Sequence, residues 1–139
     1  MENLCHTLAG VVLARAGLDR TTPLATATLV VASNLPDVDV VTVWWGDLAY
    51  LEHHRGLTHS ILGLALQGPI LAGFMIAFDR LIRLRRQPEA AAARFGRLTL
   101  VALVGLFAHL LLDWTNMYGI KPLLPFSERW FYGDIVFIV

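Results

Sequence analysis

Residues 60–78 read SILGLALQGPILAGFMIAF, a run without a single charge. At a rise of about 1.5 Å per residue, a helix of that length crosses roughly 30 Å, the hydrocarbon thickness of a bilayer. Gly68-Pro69 in its middle predicts a kink, which a membrane helix tolerates. A second uncharged stretch, Leu98 to Leu112 with only His109 inside it, predicts the return span. Arg80, Arg83, Arg85, Arg86, Arg94 and Arg97 crowd the connection between the two, and the positive-inside rule places that loop in the cytoplasm. Gln87-Pro88 should end the first span, and Ala90–Ala93 predicts an early start for the second.

Two shorter apolar segments precede this hairpin. The first runs from Leu4 to Leu18. In the second, Thr22-Pro23 reads as N-cap and first helical position, and Pro36 as the stop after Leu24 to Leu35. Both are too short to span on their own, which predicts tilted, re-entrant or shielded helices. The expected fold is all-α: one membrane-embedded domain over residues 1–139, a multi-pass bundle of about four helices with a polar cluster at one end. Composition agrees, with 56% hydrophobic and 16% charged residues against about 45–50% and 25% in soluble domains. A formal net charge of zero gives no global attraction to nucleic acid, and no direct nucleic-acid binding is expected. The single cysteine, Cys5, excludes an internal disulfide. Glu2, Asn3 and Arg15 do not suit a signal peptide. The apolar ending Asp134-Ile-Val-Phe-Ile-Val139 reads as a chain cut short.

The polar residues gather at the segment ends opposite the arginines. His6 opens the first segment, Asp37 and Asp39 follow the second, His54 and His59 precede the third, and His109 and Asp113 close the fourth. Burying such groups without a shared ligand would cost several kcal/mol each. His109-Leu-Leu-Leu-Asp113 sets an imidazole and a carboxylate on one helical face. A hydrogen-bonded pair is the plain alternative, but in a membrane segment an ionisable pair marks function. In His53-His54-Arg55-Gly56-Leu57-Thr58-His59, Gly56 permits the bend that would bring both histidines to one ion, and Thr58 can cap the helix that follows. Arg55 can hold a phosphate or carboxylate; a solvated loop is the competing reading. Asn34-Leu-Pro-Asp37-Val-Asp39 is either turn chemistry or a pair of metal carboxylates, and its apolar flanks favour the second. Asp134 is a further candidate ligand. Asn116 and Lys121, near Asp113 in sequence, can orient an anionic substrate. Trp44, Trp45, Trp114, Tyr118, Trp130, Phe131 and Tyr132 suit an interfacial aromatic belt. The set exceeds one tetrahedral site, so one or two divalent ions are expected, Zn²⁺ foremost, with Mn²⁺ and Fe²⁺ compatible.

Taken in order, His6, Asn34-x-Pro-Asp37-x-Asp39, His54-Arg-Gly-x-Thr-His59, His109-x3-Asp113 and Pro125-Phe126-Ser127 to Asp134 resemble the YdjM-like family of inner-membrane metal-dependent hydrolases. The resemblance covers nearly the whole chain. It implies a multi-pass protein of the inner membrane with a metal-dependent hydrolase site, and His54, His59, His109 and Asp113 as first metal ligands, then Asp37 and Asp39, then His6 and Asp134. A looser likeness is to zinc-dependent phospholipase C enzymes, by analogy only.

The expected function is therefore a membrane-bound hydrolase acting on an ester or phosphoester of an amphiphilic substrate. Asp37 or Asp39 is the expected general base, while Arg55 and Lys121 would steady developing negative charge. The metal cluster should face the outer side. The alternative is a scaffold or regulator with a structural metal, whose Arg80–Arg97 loop binds a cytosolic protein or anionic lipid. An ion pathway is disfavoured, because the ionisable groups crowd one end of the helices.

Overall fold

The computed structural model describes residues 3–46 and 55–136. Among these the chain is helical, with no strand beyond two isolated bridges, Asn116 to Val136 and Ile120 to Phe131. Helix α1 spans Asn3–Arg15 and α2 spans Ala25–Ala32. Helix α3 spans Ile61–Arg86, α-helical to Phe78, then one π-turn over Asp79–Arg83 and a last turn to Arg86. Helix α4 spans Phe95–Trp114. Between α2 and α3 the chain continues as a 3-10 run, Leu35–Trp45.

Among the described residues two helices are long and apolar enough to cross a membrane, α3 and α4. Only 28% and 39% of their most apolar windows are buried, so most of each window is open to the surroundings rather than packed in a core. Leu66, Ile70, Phe74, Leu100 and Phe107 are more than half exposed. Side chains of this kind in continuous stripes are stable against lipid tails and not against water. Inside, Ala32, Leu64, Leu71, Ala102, Leu106 and Leu110 form one core, and α4 packs against α1, α2 and α3. Small residues set the approach. A Cβ on Gly105 would stand 2.8 Å from the Ala32 Cβ, so glycine there lets α4 lie directly on α2.

Several element ends differ from the sequence reading. Helix α2 begins after Leu24, at φ 67°, and has no side-chain cap. Thr22 instead takes the Arg94 amide on its hydroxyl oxygen at 3.4 Å, a tie to the start of α4. Helix α2 ends at Ala32 rather than at Pro36, because Asn34 Nδ2 donates to the Val30 carbonyl at 2.9 Å and to Thr7 Oγ1 at 3.0 Å. Pro36 then sits at the start of the 3-10 run, which needs no amide from it. Pro69 is held inside α3, and the departure from α geometry falls at Asp79. Ala90–Ala93 does not start α4. The Ala93 amide donates to the buried Asp79 carboxylate at 2.8 Å, and the same carboxylate pairs with Arg83. That clasp pulls the segment out straight, and α4 starts at Phe95.

Candidate metal centre

The end of the bundle away from the arginines collects its polar groups from four segments. His6 lies on α1, Asp37 and Asp39 on the 3-10 run, His59 just before α3, and His109 and Asp113 one turn apart on α4. Ser60 caps α3, its Oγ accepting from the Gly63 amide at 3.0 Å. The cap is therefore this serine and not Thr58. Thr58 faces the centre: it donates to Asp39 Oδ2 at 3.2 Å, so its Oγ1 can accept from His59 Nδ1 at 3.0 Å.

Asp37, His59, His109 and Asp113 each offer one donor atom, all within 4.8 Å of one another. The Nε2 atoms of His59 and His109 are 3.0 Å apart. Asp37 Oδ1 is 3.5 Å from His59 Nε2 and 3.6 Å from His109 Nε2. Asp113 Oδ2 is 3.5 Å and 3.6 Å from the same two nitrogens. Donors around a tetrahedral Zn²⁺ at about 2.0–2.1 Å stand roughly 3.3 Å apart. Five of the six donor–donor distances thus lie near the edge length of such a tetrahedron. The histidines are oriented for it. His109 Nδ1 is 2.8 Å from the Ser33 carbonyl oxygen, which only accepts, so the ring proton sits on Nδ1 and the Nε2 lone pair faces inward. His59 has the same arrangement through Thr58. Two inward lone pairs at 3.0 Å repel unless a cation or proton lies between them. These residues fit a divalent metal ion by donor type, spacing and outer-shell support.

Around this set the other candidates take distinct places. His6 is fully buried, its ring stacked on His109 at 3.9 Å between centroids and its Nε2 3.4 Å from Asp113 Oδ1. Neither of its ring nitrogens has a hydrogen-bond partner among the described residues. Asp39 stands outside the four donors: its Oδ2 takes the Arg55 amide at 2.8 Å and the Thr58 hydroxyl, and is 3.5 Å from His59 Nδ1. Arg55 is buried, with Nε 3.4 Å from Asp113 Oδ2 and its guanidinium donating to Asn116 Oδ1 at 2.9 Å and the Gly119 carbonyl at 3.0 Å. Asn116 Oδ1 also accepts the Tyr118 and Gly119 amides, so it folds the turn after α4 around Arg55. Lys121 rests its ammonium on the Trp130 ring at 4.6 Å. Asp134 is exposed, in a segment whose Gly133 and Ile135 amides bond the Trp114 and Thr115 carbonyls. His54 lies outside the described residues.

The family model for YdjM inner membrane protein matches residues 1–139. The chain belongs to the YdjM inner membrane protein family. The two long apolar helices agree with a membrane protein of the YdjM family. A Bacillus subtilis (strain 168) protein, "Uncharacterized protein YfhP", is 31% identical over 98 residues, 70% of this chain. The match covers 27% of that relative's length. No solved structure matches the chain. Within this YdjM protein, two ionisable groups of the centre lie outside the spanning helices. Burial opposes charge on Asp37, but the hydrogen bond to His59 and the nearby imidazoles outweigh it and hold its carboxyl below 3.8. Burial likewise opposes charge on His59, yet hydrogen bonds to Asp113 and Asp37 and the adjacent carboxylates raise it above 6.5.

Ser33 and Thr58 are the contributors that sequence reasoning missed. Ser33 acts through its backbone carbonyl, which has no residue signature. Thr58 had a signal, its place directly before His59, but that signal also fits a helix cap.

Proposed function

We propose that this protein is a membrane-bound, metal-dependent hydrolase acting on an ester or phosphoester of an amphiphilic substrate, with the Arg80–Arg97 loop cytoplasmic and the metal centre toward the outer face. The observation that carries the reading is the near-tetrahedral set of Asp37, His59, His109 and Asp113 donors. A bound divalent ion would lower the pKa of a coordinated water and polarise the scissile centre. The remaining roles fall to the chain itself. Asp113 and His109 are fixed by Arg55 and the Ser33 carbonyl. Asp37 is the most exposed donor, at 17% of its side chain, and its Oδ2 has no hydrogen-bond partner among the described residues. That oxygen is itself buried beside the donors, where it can take a proton within the site. The same carboxylate borders a cleft of about 440 Å³ whose other walls include Val30, Val31, Leu35 and Val38. A cleft with an apolar wall ending at a metal ligand suits a substrate with one greasy and one polar end.

A second reading has its own support. Four protein donors complete a tetrahedral shell, the pattern of structural rather than catalytic zinc. The protein would then be a scaffold whose arginine loop binds a partner. Turnover and metal content separate the two. Detergent-purified protein loaded with Zn²⁺, Mn²⁺ or Fe²⁺ should hydrolyse at least one phospholipid or lipid-linked phosphate ester, and the Arg85→Glu/Arg86→Glu variant should keep that activity. Metal held stoichiometrically with no turnover across such substrates would favour the scaffold.

A further inference from the structure

At the arginine end of the bundle, a groove of about 410 Å³ runs along α4. Leu100, Val101 and Val104 line it with Leu18, while Thr21 and Arg97 stand at its mouth. Positions 97, 100, 101 and 104 follow helical spacing, so they form one stripe about 10 Å long. Arg97 is anchored at the top of that stripe by a 2.8 Å hydrogen bond from its guanidinium to the Thr21 carbonyl. One donor of the fork is used there, and Arg97 is otherwise exposed. The Arg94 amide meets Thr22 in the same turn, and Arg20 belongs to that turn. Arg97 is the one charged residue among those lining the groove, so the mouth is cationic.

We propose that this groove binds one anionic phospholipid, its phosphate on Arg97 with Arg20 and Arg94 nearby, and one acyl chain along Leu100, Val101 and Val104. The groove is apolar for its whole length and cationic only at its end. It also lies on a helix long and apolar enough to cross a membrane. A soluble anion would use the mouth and leave the stripe bare. A zwitterionic lipid would bring a second cation to a cationic mouth. Arginine matches a phosphate geometrically, with two parallel donors. The site is remote from the metal centre and independent of any hydrolysis there.

Native mass spectrometry of the detergent-purified chain tests this, titrating phosphatidylglycerol, phosphatidylcholine with the same acyl chains, and glycerol 3-phosphate. The expected result is one retained phosphatidylglycerol, with phosphatidylcholine and glycerol 3-phosphate held at least tenfold more weakly. Arg97→Gln and Val104→Trp should each weaken phosphatidylglycerol at least tenfold, while Arg85→Gln, in the same loop but outside the groove, should not. Helical circular dichroism and metal content matching the wild type establish that a variant is folded. Because Arg97 is exposed, its replacement leaves the core intact. Equal retention of the two lipids would overturn the proposal. So would wild-type binding in both groove variants, or glycerol 3-phosphate binding as tightly as the lipid.

Discussion

His109 Nδ1 lies 2.8 Å from the carbonyl oxygen of Ser33, across the contact between α4 and α2. This bond ties the orientation of a metal-ligand histidine to how closely two helices approach. The approach depends on Gly105, where an added Cβ would meet Ala32 at 2.8 Å and the Leu29 carbonyl at 3.1 Å. Gly105→Leu should push the helices apart, cost about 1–3 kcal/mol by overpacking, and lower metal occupancy although no ligand is touched. Thermal unfolding in detergent beside metal analysis checks this; full occupancy with unchanged stability would contradict it.

Removing a donor should act more sharply. His109→Ala and Asp113→Asn should each lose the metal that wild-type protein retains, read by elemental mass spectrometry, while helical circular dichroism is largely kept. Metal retained in both variants would mean that the ion sits elsewhere.

Asp39 should behave differently from Asp37. It backs His59 through Thr58 rather than offering a donor to the cluster. Asp39→Asn and Thr58→Val should weaken metal affinity about 10–100-fold, the usual effect of outer-shell partners, yet still reach full occupancy at high metal concentration. Asp37→Asn should lower the attainable occupancy itself. Competition with a chromogenic chelator distinguishes the two patterns.

Acidity should act in opposite senses on the metal-free and metal-loaded forms. His59 is raised above 6.5, so its contribution to the metal-free fold is complete below 6.5 and lost as pH climbs through the raised value. Asp37 is held below 3.8, so its contribution is present above 3.8 and lost as pH falls through the lowered value. Metal must displace the His59 proton, so affinity should rise with pH and binding should release protons. Unfolding midpoints with and without Zn²⁺, from about pH 4 to 8, should therefore diverge with increasing pH. A gap that stays constant would count against His59 as a ligand.

Much of this arrangement was legible in the sequence, for identifiable reasons. An uncharged run as long as Ser60 to Phe78 has few other fates, and the arginines at its far end mark the turn. His59, His109, Asp113 and Asp37 could be suspected together because each ends an apolar segment at the same pole. The 3-10 run Leu35–Trp45 was hidden, because a valine-rich stretch after a proline fits several backbones. Thr58 and Ser60 both suit an N-cap, and only tertiary contact with Asp39 decides between them. Asp79 directly follows the uncharged run, and nothing local shows that Arg83 and the Ala93 amide will bury it.

The four donors arrive at different times in the life of the chain. Asp37 and His59 emerge from the ribosome well before α4, which carries His109 and Asp113 near its far end. No ion can be enclosed until that last helix has threaded the bilayer and docked on α2. Metal capture at this set would therefore be a late event in biogenesis, and occupancy would report that the 3-10 run, the His59 turn and α4 have come together.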